Sequence, residues 1–274
     1  GMYVPQFYEE TYNPDGTIKG RVKKYDEAPD TIRKEALMNI SDTYYPVRPV
    51  VPYMQTAQDR VTLEIQRGCI RGCRFCQAGQ LYRPVRERSV EYLKSIALEM
   101  LDSTGLEELT LSSLSSSDYS ALKELLDFLI DECNKRHVNI SLPSLRIDAF
   151  SLDVMSKVQD VKKSSLTFAP EAGSQRMRDV INKGLTKEEI LNGSMLAFKG
   201  GWNKVKLYFM LGLPYEEEED IKEIARLANE IAALYYDAVP KEARQGRCQI
   251  TMSTSFFVPK PFTPFQWARM YPAK

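Results

Sequence analysis

Three cysteines lie within eight residues of one another, and this crowding constrains the chain more than any other feature. Cys69, Cys73 and Cys76 directly follow the apolar run 61–65, which predicts a buried strand. Thiolates packed this closely repel one another unless a metal centre shares their charge, so the segment indicates metal binding or redox chemistry. Because a closed site uses four protein ligands, three cysteines predict an outside fourth ligand or an open coordination position.

A zinc site is the alternative interpretation of these cysteines. Cys133 and His137 could complete it, because they are spaced i and i+4 on one face of a predicted helix. Cys133 also continues the apolar stripe of that helix, which favours a place in the core, and His137 falls at the helix end, where a cation is favoured. We expect Cys248 to be a small buried residue, with a reactive thiol as the alternative.

Length and composition bound the class of protein. The chain has 274 residues and is 43% hydrophobic, which is enough for one large domain with a sizeable core. Lys+Arg and Asp+Glu both total 37, so the formal net charge of zero gives no global electrostatic case for binding nucleic acid or a membrane. No apolar run approaches the roughly 20 residues that span a bilayer. The absence of a signal peptide and the odd number of five cysteines predict a cytoplasmic protein.

Residues 1–60 differ from the rest and predict an N-terminal extension made of a β-hairpin and a helix. Segments 3–8 and 18–25 flank Asn13-Pro14-Asp15-Gly16, a strong turn signal between two strands. Residues 30–38 predict a short helix with Asp30 as its N-cap. A proline-interrupted, extended stretch then leads to the first core strand.

From residue 61 onward, predicted strands and helices alternate. The strands are predicted at 61–65, 109–111, 138–142, 165–169, 205–210 and 249–257, and the helices at 89–103, 118–136, 152–158, 175–182, 187–199 and 216–236. Ser89 and Asp118 are the predicted N-caps of the first two helices. Six repeats predict an α/β fold with a parallel sheet and right-handed crossovers. The length favours a partial (β/α)6 TIM-like barrel over a complete eightfold one, so we divide the chain into 1–60 and 61–274.

Four unusual loops leave the carboxyl ends of these predicted strands. They are the cysteine loop, the serine-rich loop 112–117, and segments 170–174 and 212–214. Parallel α/β folds carry their functional groups at this end of the sheet, so the four loops predict one site on a common rim. Taken singly, the serine loop would be only a polar connection and Glu171 only a helix cap.

The cysteine spacing Cys-x3-Cys-x2-Cys, with Phe75 before the third cysteine, resembles that of the radical SAM enzymes. Within that superfamily, the group containing the methylthiotransferases and the Elongator-type enzymes is the most similar. Segment 170–174, Pro-Glu-Ala-Gly-Ser, resembles the fourth-strand loop of that group. Gly212-Leu213-Pro214-Tyr215-Glu216-Glu217 resembles its Gly-x-Pro-Gly-Glu-Thr segment and departs from it at Tyr215. Segments 145–148 and 258–264 resemble an uncharacterised branch that is often joined to a cobalamin-binding-type domain.

The resemblance implies a set of cofactors. Cys69, Cys73 and Cys76 would hold a [4Fe–4S] cluster, and the amino and carboxylate groups of S-adenosylmethionine (SAM) would occupy its fourth iron. Electron transfer would cleave the C5′–S bond of SAM, and the resulting 5′-deoxyadenosyl radical would abstract hydrogen from a substrate that the sequence does not name. An electron donor such as flavodoxin or ferredoxin is implied. Cobalamin would require a domain outside this chain.

The resemblance also assigns cofactor contacts on the rim. Phe75 would lie near the adenine of SAM, and the turn carrying Leu213 would pack there too. Ser112 and Ser113 match the position that holds the SAM amino group, in place of a glycine-rich form of that motif.

Three further contacts are implied on the other loops. Glu171 would contact the ribose or the amino group. Ser174 and Arg146 would make polar contacts to the ribose and the SAM carboxylate, with a structural ion pair as the alternative for Arg146. The sequence names no residue that acts on the substrate itself.

Two other functions stay open at this point. One is an RNA methylthiotransferase-like modification, which the similarity favours and the neutral charge does not. The other is a non-enzymatic module in which zinc or an iron–sulfur cluster has only a structural role.

Overall fold

The computed structural model describes residues 2–54, 56–141 and 166–271. The strands are β1 (Tyr8–Tyr12), β2 (Ile18–Lys23), β3 (Val61–Glu64), β4 (Gln66–Arg67), β5 (Arg86–Glu87), β6 (Glu108–Ser112), β7 (Asn139–Ser141), β8 (Leu166–Glu171), β9 (Lys204–Leu211) and β10 (Gln249–Phe256). The helices are α1 (Gln77–Leu81), α2 (Val90–Thr104), α3 (Leu122–Arg136), α4 (Gln175–Val180), α5 (Lys187–Lys199) and α6 (Glu218–Ala238). The predicted alternation is confirmed over the described residues; the predicted helix 152–158 lies outside them.

The chain divides into two compact units, residues 1–38 and the remainder from Asn39. In the first unit, β1 and β2 form the predicted antiparallel hairpin. The Asp15 carboxylate accepts hydrogen bonds from the backbone and the hydroxyl of Thr17, which closes the turn. The first strand begins later than predicted, because Pro5–Phe7 form a short 3-10 helix.

The helix predicted over residues 30–38 is wrong, because no helix forms there. Most side chains in this stretch are exposed. A helix this short is marginal in water unless it buries an apolar face, since its few hydrogen bonds do not offset the cost of nucleation. The N-cap residue alone was therefore a misleading signal.

In the second unit, two three-stranded parallel sheets position the site. Their strand orders are β3-β6-β7 and β10-β9-β8. Buried side chains on β3 and β6 pack against α2 and α3, and those on β8 and β9 belong to a second core that includes residues of α5 and α6. Each sheet therefore buries one face under helices, as βαβ crossovers require.

The helix ends follow the local sequence in most cases. Ser89 caps α2, as predicted, by accepting from the amide of Tyr92, and Gly105 ends it in the left-handed conformation. The prediction that Asp118 caps the next helix is wrong. Asp118 closes a 3-10 turn at Ser116–Asp118, and α3 starts later, at Leu122.

Ile40 and Tyr45, near the start of the second unit, pack against its strands and helices. Ile40 is 1% exposed, and its carbonyl accepts a hydrogen bond from the buried guanidinium of Arg88. The Tyr45 hydroxyl bonds to the Thr62 carbonyl and the Glu64 amide, so it satisfies backbone groups of β3. Within the described part of the chain, no helix is long and apolar enough to cross a membrane.

Candidate cofactor site

The cysteine loop follows closely after β3, the first strand of the core. After β3, the short strand β4 pairs with β5, and the chain between them carries all three cysteines. Gly68 has φ +95°, and a Cβ added there would lie 2.7 Å from the Tyr82 carbonyl oxygen. Only glycine fits this conformation and this approach, so the base of the loop is fixed by backbone contact.

The sulfur atoms of Cys69 and Cys76 accept hydrogen bonds from backbone amides. The amide of Arg71 donates to Cys69 Sγ at 3.4 Å, and the amide of Gly79 donates to Cys76 Sγ at 3.3 Å. Cys76 thereby caps α1. Amide hydrogen bonds to the sulfur ligands of an iron–sulfur cluster help to set its reduction potential, so these donors suit cysteines that hold a cluster.

The donor set fits a [4Fe–4S] cluster. The loop supplies three half-buried thiols, and no disulfide consumes them. Among the described residues, no group of three or more His, Cys, Asp or Glu side chains is placed to hold a single metal ion. A cluster bound by three cysteines does not need the sulfur atoms to meet at one point, because each thiolate binds a different iron.

The proposed fourth zinc ligands lie in other surroundings. Cys133 is 1% exposed within the α2–α3 core, as its place in the apolar stripe predicted, and burial raises the pKa of its thiol to about 11. A thiol with this pKa is protonated at neutral pH, whereas a metal ligand is a thiolate. His137 ends α3 as its C-cap, as predicted. Cys248 is half-buried, and burial raises its pKa as well.

The end of α4, the helix that follows β8, docks on the cysteine loop. The Arg74 guanidinium donates to the Val180 carbonyl at 2.5 Å, and the amide of Arg74 donates to the Ile181 carbonyl at 2.9 Å. The Asn182 side chain donates to the Gly72 carbonyl at 2.9 Å. These bonds join residues more than a hundred positions apart, so they attach the end of α4 to the cysteine loop.

Glu171 lies at the end of β8 in a strained and buried position. Its φ is +70°, which favours glycine, and its side chain is 17% exposed. Burial raises the pKa of Glu171, although an ion pair with Lys183 at 3.4 Å opposes that shift. The Lys183 ammonium also lies 5.9 Å from the centre of the Phe75 ring. The structure therefore links Glu171 to Phe75 through a lysine that the sequence did not single out.

Phe75 packs on a small apolar cluster under the rim. The buried members of this cluster are Ala172, Met177, Ile181, Leu213 and Phe257. Leu213 is 4% exposed and belongs to the turn after β9, so three of the predicted loops contribute to one apolar wall. Two positions further on, Tyr215 has φ +65°, a conformation that favours glycine.

Ser112 and Ser113 line a cavity of about 400 Å³, together with Glu64, Gln66, Arg67, Gly68, Tyr82 and Leu114. The Ser113 hydroxyl lies 3.0 Å from that of Ser116 and accepts from the amide of Ser115. Cavities of this size hold small ligands, and this one directly adjoins the base of the cysteine loop.

The remaining predicted residues have different outcomes. Ser174 caps α4 by accepting from the Met177 amide, and its hydroxyl donates to Asp220 at 2.5 Å. The Ser174 hydroxyl is therefore bonded to Met177 and Asp220 in this structure, and its contact to a ribose stays a prediction. Arg146 lies outside the described residues. The structure also shows an ion pair between Arg71 and Asp118 that the sequence did not predict.

Comparisons with known proteins show the family to which the chain belongs. The family model described as the radical SAM superfamily matches residues 63–228. An uncharacterized protein of Methanocaldococcus jannaschii is 35% identical over 259 residues, which cover 93% of this chain and 53% of that protein. The tRNA-2-methylthio-N(6)-dimethylallyladenosine synthase of Prosthecochloris aestuarii is 27% identical over 208 residues, which cover 69% of this chain and 46% of that enzyme. The chain spans about half the length of these curated relatives.

Two solved structures share the fold. The cobalamin-dependent S-adenosylmethionine radical enzyme OxsB, solved with aqua-cobalamin and S-adenosylmethionine, gives a TM-score of 0.58 at 16% identity over 75% of this chain and 34% of that chain. The radical S-adenosylmethionine methyltransferase TsrM of Kitasatospora setae gives a TM-score of 0.53 at 15% identity over 76% of this chain and 38% of that chain. These likenesses establish a TIM-barrel-like α/β fold.

Proposed function

Because the chain belongs to the radical SAM superfamily, whose members are enzymes that bind a [4Fe–4S] cluster and SAM, we propose that it is the core of such an enzyme. Cys69, Cys73 and Cys76 would hold the cluster. The observation that carries this proposal is the cysteine loop itself, with three thiols after the first core strand and backbone amides donating to two of them. The substrate is unknown.

The fold supports this proposal at the level of the whole core. The two parallel three-stranded sheets would form one partial (β/α)6 barrel, with residues 1–60 as an extension and 61–274 as the core. Support comes from the six parallel strands in the order expected for successive βαβ units. The loops that carry the predicted site would then share the carboxyl end of the barrel.

Residues around the cysteine loop would bind and orient SAM. Phe75 and Leu213 would contact adenine, since both belong to the apolar wall under the rim. Glu171 would contact the ribose or the amino group. Lys183, which pairs with that carboxylate at 3.4 Å, would oppose the rise in its pKa that burial causes.

The polar contacts to SAM would come from three further places. Ser112 and Ser113 would bind its amino group from the cavity beside the loop. Ser174 and Arg146 would add contacts to the ribose and the carboxylate. When bound, the cluster supplies the electron that cleaves the C5′–S bond of SAM to give the 5′-deoxyadenosyl radical. The apolar wall would exclude water from the reacting atoms.

A second candidate function is the methylthiolation of RNA. It is favoured by the 27% identity to a tRNA methylthiotransferase. The balanced charge of the chain, with 37 basic and 37 acidic residues, gives it no electrostatic support. OxsB and TsrM, the structural neighbours, are a cobalamin-dependent and a cobalamin-bound enzyme, which favours cobalamin supplied by a domain outside this chain. An electron donor such as flavodoxin or ferredoxin is the partner we propose, in the reducing cytoplasm where free thiols persist.

Anaerobic reconstitution of the chain tests the proposed function. Iron and sulfide are counted first, and dithionite is then added with SAM while 5′-deoxyadenosine is measured. We expect about four irons and four sulfides per chain and formation of 5′-deoxyadenosine. Bound zinc without SAM cleavage would support the non-enzymatic module instead. The matched control is Cys133→Ala, which removes a thiol of the core and should leave iron content unchanged.

A further inference from the structure

Arg71 stands between two of the three cysteines and is held by a carboxylate from the serine loop. Its guanidinium donates twice to Asp118, from Nε to Oδ2 at 3.1 Å and from Nη2 to Oδ1 at 2.6 Å. The Asp118 side chain is only 8% exposed and that of Arg71 is 32% exposed. A bidentate pair with one partner largely buried fixes geometry far more strongly than a surface ion pair.

Both members of this pair are anchored by neighbours. The Ser115 hydroxyl donates to Asp118 Oδ2 at 2.7 Å, and the Ser115 carbonyl accepts from the buried side chain of Gln66 at 3.0 Å. On the other side, Arg83 donates to the carbonyl of Arg71 at 3.0 Å. The side chain and the backbone of Arg71 are therefore both held in place.

The residue held in this way also contacts a cysteine sulfur. The amide of the same Arg71 donates to Cys69 Sγ at 3.4 Å. Hydrogen bonds to sulfur and nearby net charge set the reduction potential of an iron–sulfur cluster. A guanidinium without a counter-charge would stabilise the reduced cluster, which carries one more negative charge, and so raise its reduction potential. The Asp118 carboxylate cancels the charge of the guanidinium and would remove this effect.

We propose that Asp118 is a positioning residue that sets the potential of the cluster, by fixing Arg71 in the cysteine loop and neutralising its guanidinium. This inference rests on the proposed function, because it concerns the cluster that the three cysteines bind. In this role Asp118 would act through Arg71, to which both of its carboxylate oxygens are bonded. The end of the serine loop, where Asp118 lies, would therefore hold Arg71 in place, while Ser112 and Ser113 at its start line the cavity.

The charge is tested with Asp118→Asn, which keeps an oxygen acceptor of the same shape and loses the negative charge. The midpoint potential of the reconstituted full chain is measured by redox titration with EPR detection. We expect a more positive potential for Asp118→Asn, and potentials equal to wild type for Asp118→Glu and for Asp131→Asn, an exposed position on α3. An unchanged or more negative potential in Asp118→Asn overturns the proposal.

The positioning is tested by the rate at which a chelator removes iron, measured well below the unfolding temperature of each variant. Asp118→Ala should lose iron about tenfold faster than wild type, because one charged hydrogen-bonding partner is lost. Equal rates for Asp118→Ala and wild type overturn the positioning role. If the wild-type chain binds no cluster, the proposed function fails; if all variants bind it with one potential, only this inference fails.

Discussion

At the residue scale, the three cysteines of the loop lie in a different environment from Cys133. Cys69, Cys73 and Cys76 are half-buried in a loop with amide donors, whereas Cys133 is sealed in the core. The sequence predicted this division from spacing and from the apolar stripe of a helix. It did not predict Lys183, because only the fold brings that ammonium to Glu171 and Phe75.

Cys133 gives a pH-dependent prediction. Its pKa is about 11 in the folded chain and 9.0 when unperturbed, so the native state holds its proton more tightly. The stability that this thiol contributes is complete below about pH 9 and is lost as the pH rises toward 11. Between pH 9 and pH 11, wild type should lose about 2 kcal/mol more unfolding free energy than Cys133→Ala. Urea unfolding at both pH values measures this difference, and parallel losses in the two proteins would refute it.

At the scale of elements, caps and burial together decided which predictions held. Ser89 predicted the start of α2 correctly because the helix behind it buries Leu93, Ile96 and Met100. Asp30 predicted a helix that does not form, since the residues after it remain mostly exposed. Asp118 was taken for a cap, yet its carboxylate is used by Arg71, a partner distant in sequence. Local signals do not show such long-range competition.

Next to β4, a methyl group added at Gly68 should strongly lower the stability of the fold. Gly68→Ala places a Cβ against the Tyr82 carbonyl at a positive φ, so the unfolding free energy should fall by roughly 2–3 kcal/mol. Gly105→Ala is the matched control, because it has φ +65° and open space around the added Cβ. Its cost should stay near 1–2 kcal/mol, the strain of the backbone alone. Urea unfolding of both variants tests this, and equal losses would show that the contact at Gly68 does not matter.

At the scale of the whole molecule, the sequence predicted the order of the strands and helices that the structure describes. That their loops share one rim of a barrel stays a prediction. The sequence placed a boundary at residue 60, whereas the compact units separate after Met38. The stretch between is proline-interrupted and lacks periodicity, so nothing local shows that Ile40 and Tyr45 pack on the core.

This difference predicts the behaviour of two truncations. A chain of residues 39–274 should keep the thermal melting transition that the second unit has in the 274-residue chain, because it retains residues 39–60. A chain of residues 61–274 should melt several degrees lower, since it loses buried Ile40 and the Tyr45 bonds to β3. Circular dichroism melting compares the two, and identical transitions would contradict the packing of residues 39–60.

The central claim is that three cysteines leave one iron of a cluster open for SAM. Pulsed EPR of the reduced, reconstituted chain with SAM labelled at its amino nitrogen and carboxylate oxygen tests this most directly. The account predicts hyperfine coupling of both labels to the cluster, and its loss in Cys73→Ala together with the cluster signal. A cluster signal in the wild-type chain that shows no coupling to either label would contradict it.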